Sequence, residues 1–235
     1  MSMPMPMPMP MPMPIPHAPA APPDHRAALA QYRRRAAVYD LELALFEPVR
    51  GQAVARLGLR PGEVVLDVGC GTGLSLPLLH AGVGTRGRII GIEPSPEMMA
   101  LARERVQRQQ WRNVTLVPAS AGDAQVPEPA DAVLFHFTHD VMRDAAALAH
   151  VLGQVKPGAR VVACGLRWAA PWAWAINLLV LPAALRSVTS LEGLHKPWSH
   201  LESLVRIAQV ESLLAGGAYL ASGVLLPSQS PRKPR

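Results

Sequence analysis

Between residues 61 and 166 the chain alternates short apolar runs with longer amphipathic stretches. "VVLDV" (64–68) is a brief apolar run between turn residues, which predicts a strand buried on both faces. Three closely spaced glycines follow, and Leu74 to His80 should then open a helix. "RIIGIE" (88–93) predicts a second strand. Ser95 suits a helix N-cap with Pro96 at the first helical position, leading into "EMMALARERVQRQQ". "VTLV" (114–117) and "DAVLFHF" (131–137) predict strands three and four, with Asp131 at the mouth of the latter. "DVMRDAAALAHVLGQV" predicts one helix that stops before Lys156-Pro157-Gly158, and "ARVVACG" a fifth strand. Such alternation implies a parallel sheet with helices on both faces.

The flanks follow other patterns. Asp24 can cap a helical run through "HRAALAQYRRRAAVYDLELALFEPVRGQAVARL", rich in good helix formers and divided at Pro48 and Gly51. "LRPGE" is a turn. Near the end, "VESLLAGGAYLASGVL" predicts two strands joined through Gly216-Gly217, the hairpin adding an antiparallel strand. The expected fold is α/β: a doubly wound, mostly parallel seven-stranded sheet with an antiparallel last strand. The expected organisation is a tail (1–23) and one domain over 24–226, followed by a tail (227–235). Within the domain we expect a helical cap (24–60), the core (61–166), an apolar insertion (167–206) and the final strand pair (207–226).

Composition narrows this further. Residues 3–14 are consecutive Met-Pro dipeptides, which neither a helix nor a central strand accepts. The run lacks a basic start and a continuous apolar stretch, so it is not expected to be a secretory leader. Cys70 and Cys164 are the two cysteines of the chain, too few for a disulfide framework, and a reduced cytoplasmic setting fits. The net charge of +6 is divided between the C-terminal tail and Arg33–Arg35, without interleaved aromatics. That distribution gives no nucleic-acid motif, and no spacing suggests a metal site.

Gly69, Gly71 and Gly73 ask for positive φ or a close ligand approach. They follow the first strand, where ligands bind a doubly wound sheet, and the next helix offers its unpaired N–H groups there. Glu93 ends the second strand, 20 residues after Gly73. A carboxylate in that place can accept both ribose hydroxyls. A dinucleotide fingerprint requires Gly-x-Gly-x-x-Gly, whereas this chain reads Gly-x-Gly-x-Gly. Asp67 would also repel a pyrophosphate; it suits an ammonium group.

"VLDVGCGTG", "IIGIEPSPEMM", "DAVLFHFTHDVM" and "VKPGARVVACG", in this order, resemble the class I S-adenosylmethionine-dependent methyltransferases over residues 55–166 and the terminal strand pair. The resemblance implies a Rossmann-like fold with S-adenosylmethionine as cofactor. It implies that Asp67, Gly69, Cys70, Gly71 and Gly73 hold the methionine part and Glu93 the ribose. After strand three the match loosens, and either Ser120 with Ala121 or Asp123 faces the adenine. Phe137 and Tyr39 are expected against the cofactor, Tyr39 from the helical cap. The end of strand four lies beside the transferred methyl group in this family. His139 is therefore a candidate base and Asp140 its orienting carboxylate, although Thr138 and Asp140 also suit helix capping. His136 alternates away from His139 and reads as a satisfied sheet residue. The absence of Asn-Pro-Pro-Tyr there disfavours methylation of DNA bases or glutamine.

"WAAPWAWAINLLVLPAAL" (168–185) carries no charge. Its length approaches a membrane span, but Pro171 and Pro182 interrupt it and it lies between two strands of one sheet. A buried core helix, a roof over an apolar substrate pocket and a helix on a membrane surface stay open. Trp168, Trp172, Trp174 and His200 are the candidate substrate contacts. His195 and His200 are five apart, which is wrong for a metal pair on one helix face. The expected activity is methyl transfer to a small, hydrophobic or lipid-like acceptor. The alternatives are a phospholipid N-methyltransferase in peripheral membrane contact and an inactive cofactor-binding partner protein.

Overall fold

The computed structural model describes residues 46–187 and 191–227. Tyr39 and the helix expected from Asp24 lie outside the described residues, as do the Met-Pro tail and residues 228–235. The strands are β1 (Val64–Val68), β2 (Arg88–Ile92), β3 (Val114–Val117), β4 (Ala132–His136), β5 (Arg160–Leu166), β6 (Val205–Leu213) and β7 (Ala218–Leu225). They form one sheet in the order β3-β2-β1-β4-β5-β7-β6. β1 to β5 pair in parallel, and β7 runs antiparallel to both β5 and β6. The sheet is the Rossmann-like arrangement that the alternating pattern implies.

The helices are α1 (Glu47–Leu57), α2 (Leu76–Val83), α3 (Pro96–Arg108), α4 (His139–Met142), α5 (Ala145–Leu152) and α6 (Trp174–Ser187). Successive strand residues point to opposite faces, and both faces of β1 are covered. Val64, Leu66 and Val68 pack with Leu148 and Val151 of α5 in one core. Val65 packs with Val54 and Leu57 of α1 and Leu79 of α2 in the other. Asp67 alternates with Val68, so it faces the α1 side.

Several local expectations need correction. Pro48 sits in the first turn of α1, as a helix start there allows, whereas Gly51 lies inside α1 and does not divide it. The helix expected over 140–155 is two, α4 and α5. Asp144 divides them because its side chain accepts the Ala147 N–H at 2.9 Å and caps α5. Thr138 is the N-cap residue of α4 but makes no side-chain capping bond. β6 begins at Val205, before the expected strand, and carries a bulge between Ile207 and Gln209. Asp131 is at the opening end of β4, accepting from Val64 N and Lys156 Nζ, remote from the carboxyl ends of the strands. Ser95 does cap α3, accepting from Met98 N at 3.3 Å.

Candidate active site

The site is built where β1, β2, β4 and β5 end. The loop after β1 turns through three left-handed glycines, with φ of 68° at Gly69, 57° at Gly71 and 81° at Gly73. A Cβ on Gly69 would lie 2.4 Å from Cγ2 of Thr138, so the loop presses on the segment after β4. Glu93, only 6% exposed, ties this loop to the end of β2. Its Oε2 accepts Gly71 N–H at 3.0 Å and its Oε1 accepts Ser95 N–H at 2.8 Å. Burial raises its pKa, while the two backbone N–H groups oppose the rise.

A polar cleft adjoins the loop, lined by Arg50, Asp67, Gly69 to Thr72, Leu74, Ser75, His136 and Phe137. Arg50 comes from α1 and is 1% exposed; it pairs with Glu47. Arg50 Nε, Asp67 Oδ2 and His136 Nε2 are buried without a hydrogen-bond partner. Burial raises the Asp67 carboxyl to about 7, against the pull of the Arg50 charge. Burial, with Arg50 adding, lowers His136 to about 3, so its ring is neutral. His136 therefore differs from the satisfied sheet residue expected of it. Buried polar atoms normally have partners, and three orphans in one cleft mark a place for a charged, hydrogen-bonding ligand.

Phe137 follows β4 with φ of 57°, an uncommon conformation for a bulky residue. Its N–H donates to Cys164 O at 2.8 Å, and its ring lies 4.9 Å from that of Phe46. Phe137 lines the polar cleft and also a second cavity with Thr138, His139, Cys164, Gly165, Leu166, Leu194 and Tyr219. His139 is buried, and its Nε2 lies 2.9 Å from Glu192 O. Arg143 Nη2 holds the Glu192 carboxylate at 2.5 Å, fixing that backbone over His139. Burial pushes the thiols of Cys70 and Cys164 and the phenol of Tyr219 upward, so all three stay neutral.

The model of a methyltransferase domain matches residues 65–158. A demethylmenaquinone methyltransferase of Tropheryma whipplei (strain Twist) is 32% identical over 170 residues, 68% of this chain and 69% of that protein. The chain belongs to the class I S-adenosylmethionine-dependent methyltransferases. A second demethylmenaquinone methyltransferase, from Symbiobacterium thermophilum, is 34% identical over 46% of this chain and 45% of its own length. The fold is that of the N-methyltransferase NodS of Bradyrhizobium japonicum in complex with S-adenosyl-L-homocysteine, at TM-score 0.62 and 18% identity over 84% of this chain and 98% of that one.

The methyltransferase cleft fits its cofactor. The orphaned Asp67 Oδ2 suits an ammonium group, the orphaned Arg50 Nε and His136 Nε2 suit a carboxylate, and the glycine loop leaves room for backbone approach. Beyond β3, Ser120 Oγ donates to Asp123 Oδ2 at 2.6 Å, so both expected adenine-side polar residues share one turn. Ala121 is buried in the apolar core beside Ala124 and Ala147. On the substrate side, Trp168 and Trp174 line an apolar groove with His195 at its rim. Trp172, 84% exposed, and His200, also exposed, are not among its lining residues. Arg50 was not singled out by sequence, and His136 was read as a satisfied sheet residue. The signal for Arg50 was present: it lies three, four and seven residues before Ala53, Val54 and Leu57, on the face that α1 buries.

Proposed function

We propose that this methyltransferase acts on a small apolar acceptor with a quinol-like ring head. The observation that carries the reading is the apolar surround of His139 at the end of β4, where Phe137, Leu166, Leu194 and Tyr219 line a small cavity of about 10 Å³ beside the cofactor cleft. The names of the relatives from Tropheryma and Symbiobacterium support the same acceptor class.

When bound, S-adenosylmethionine supplies a methyl group activated on a sulfonium. The chain has to align the acceptor, exclude water and take the proton that the acceptor atom loses. We assign Asp67 to the cofactor's ammonium group, Arg50 and neutral His136 to its carboxylate, and Glu93 to its ribose. Phe137, which lines both cavities, would stand beside the reacting groups. His139 is the proposed base. With Nε2 donating to Glu192 O, Nδ1 is the basic nitrogen, and the carbonyl stabilises the imidazolium once formed. Asp140, the next residue, supports its charge.

The test is methyl transfer from labelled S-adenosylmethionine to a panel of soluble hydroquinones and of phospholipid vesicles. Transfer to hydroquinones is expected, falling about a hundredfold in His139→Ala while S-adenosylhomocysteine affinity holds. Transfer confined to phospholipid headgroups, or none to any acceptor despite cofactor binding, overturns the reading.

A further inference from the structure

Residues 118–131 join β3 to β4 without a helix or strand. Backbone N–H and C=O groups in such a stretch need partners from elsewhere. α5 and the turn after it supply them. Gln154, just past the Gly153 C-cap of α5, accepts Val126 N–H on Oε1 at 2.9 Å and donates from Nε2 to Ala124 O at 2.9 Å. An N–H can only donate, so Val126 fixes which end of the amide is oxygen. One side chain thus serves a donor and an acceptor two residues apart, as a neighbouring strand would. His150 Nε2 lies 2.9 Å from the same Ala124 O and 3.0 Å from Gln154 Nε2. The second amide hydrogen of Gln154 has His150 O within reach at 3.3 Å, which leaves His150 Nε2–H for Ala124 O.

This clamp meets the cofactor site through Ala124. That residue is fully buried and packs in one core with Ala121 and with Ala147, Leu148 and Val151 of α5. Its N–H and that of Asp123 donate to Ser120 O at 2.9 and 3.1 Å. The turn bearing Ser120 and Asp123 therefore closes onto a residue whose carbonyl is held from α5. The turn also stands one strand over from Glu93: Glu93 N–H donates to Val117 O at 3.1 Å, and Val117 ends β3. A ligand that begins on the β1 loop and crosses Glu93 reaches the Ser120–Asp123 turn next.

We propose that His150 and Gln154 are positioning residues for the cofactor's nucleobase, holding the Ser120–Asp123 turn where it selects a 6-aminopurine over a 6-oxopurine. This rests on the reading of that turn as the adenine side of the cofactor site. Adenine donates from its 6-amino group and accepts at N1; hypoxanthine accepts at its 6-oxo group and donates from N1. A carboxylate only accepts. Held in place, Asp123 takes the amino group and repels the oxo group. On a loose turn it swings aside, and the two bases are taken alike.

The experiment is calorimetry of S-adenosylhomocysteine and S-inosylhomocysteine on the full chain, in the wild type and in Gln154→Met, His150→Phe and the double variant Ser120→Ala/Asp123→Ala. Gln154→Met keeps the side-chain volume and removes both backbone bonds; His150→Phe, which spares the Val126 bond, decides the matter should Gln154→Met not fold. The wild type should prefer the adenosyl ligand about tenfold or more. Gln154→Met should weaken that ligand while leaving the inosyl one nearly unchanged, so that the preference falls toward one, as it should in the double variant. His150→Phe should lose a smaller part of it. Equal weakening of both ligands in Gln154→Met marks a purely structural role and overturns the proposal. A preference kept in Gln154→Met and His150→Phe but lost in the double variant also overturns it, and leaves the turn as the adenine side. A preference absent from the wild type, or kept in every variant, removes the adenine reading of the turn and the proposal with it.

Discussion

Asp67 shows how one buried side chain can tie ligand affinity to pH. Its carboxyl lies near 7 in the fold against 3.8 for the ordinary group, chiefly through burial. Between those values the folded state holds more proton than the unfolded one, so this group's contribution to stability falls as pH rises from about 4 to 7. An ammonium ligand prefers the ionised form. S-adenosylhomocysteine affinity should therefore rise by up to about tenfold per pH unit below 7 and level off above it, and Asp67→Asn should flatten the profile. Calorimetry across pH checks both. At the other end of the cleft, Arg50→Met should weaken S-adenosylhomocysteine at least about tenfold, since hydrogen bonds to charged groups are worth roughly 1.5–3 kcal/mol. 5′-Methylthioadenosine, which lacks the amino-acid part, should bind both proteins alike. Equal losses for the two ligands would remove the carboxylate assignment. At Gly69 the obstacle is both conformational and steric. Gly69→Ala should weaken cofactor binding, with partial recovery in Gly69→Ala/Thr138→Ser, which removes the clashing methyl.

Whole elements were legible where one pattern decided them. β1 to β5 follow from short apolar runs between turn residues, and the Ser95-Pro96 start of α3 from capping chemistry. The break between α4 and α5 was hidden because Asp144 sits in an otherwise helical composition; only its bond to Ala147 N–H reveals a cap. Asp144→Ala should cost about 1 kcal/mol in chemical denaturation. α6 was ambiguous for a better reason: an uncharged segment has no polar face to give its orientation. Which of its faces is buried depends on Ile176, Val180 and Ala184 meeting Leu166 and Leu194, a tertiary contact. Arg50 illustrates the reverse case. An arginine on a helix is ordinarily a solvated residue, and its neighbours at helical spacing identify its buried face without identifying what it meets there.

For the molecule as a whole, the order of segments carried most of the information. Glycine loop, acidic strand end and strand-four terminus converge because parallel strands with right-handed crossovers end on one side of the sheet. Among the described residues, no helix is long and apolar enough to cross a membrane. Because the polar cleft draws on α1, β1 and β4, and Glu93 ties its glycine loop to the end of β2, a ligand held there would brace elements distant in sequence. At a hundredfold excess over Kd, S-adenosylhomocysteine should stabilise the fold by about 2.7 kcal/mol, a rise of a few degrees in Tm. Arg50→Met should lose most of that rise at the same ligand concentration.

Phe137 belongs to both cavities, held by its backbone in a conformation few bulky residues adopt. One ring cannot shift for one occupant without being felt by the other. The two ligands should accordingly be heterotropically linked: whatever factor an acceptor exerts on cofactor affinity, the cofactor must return on acceptor affinity. Phe137→Ala should bring that factor toward one.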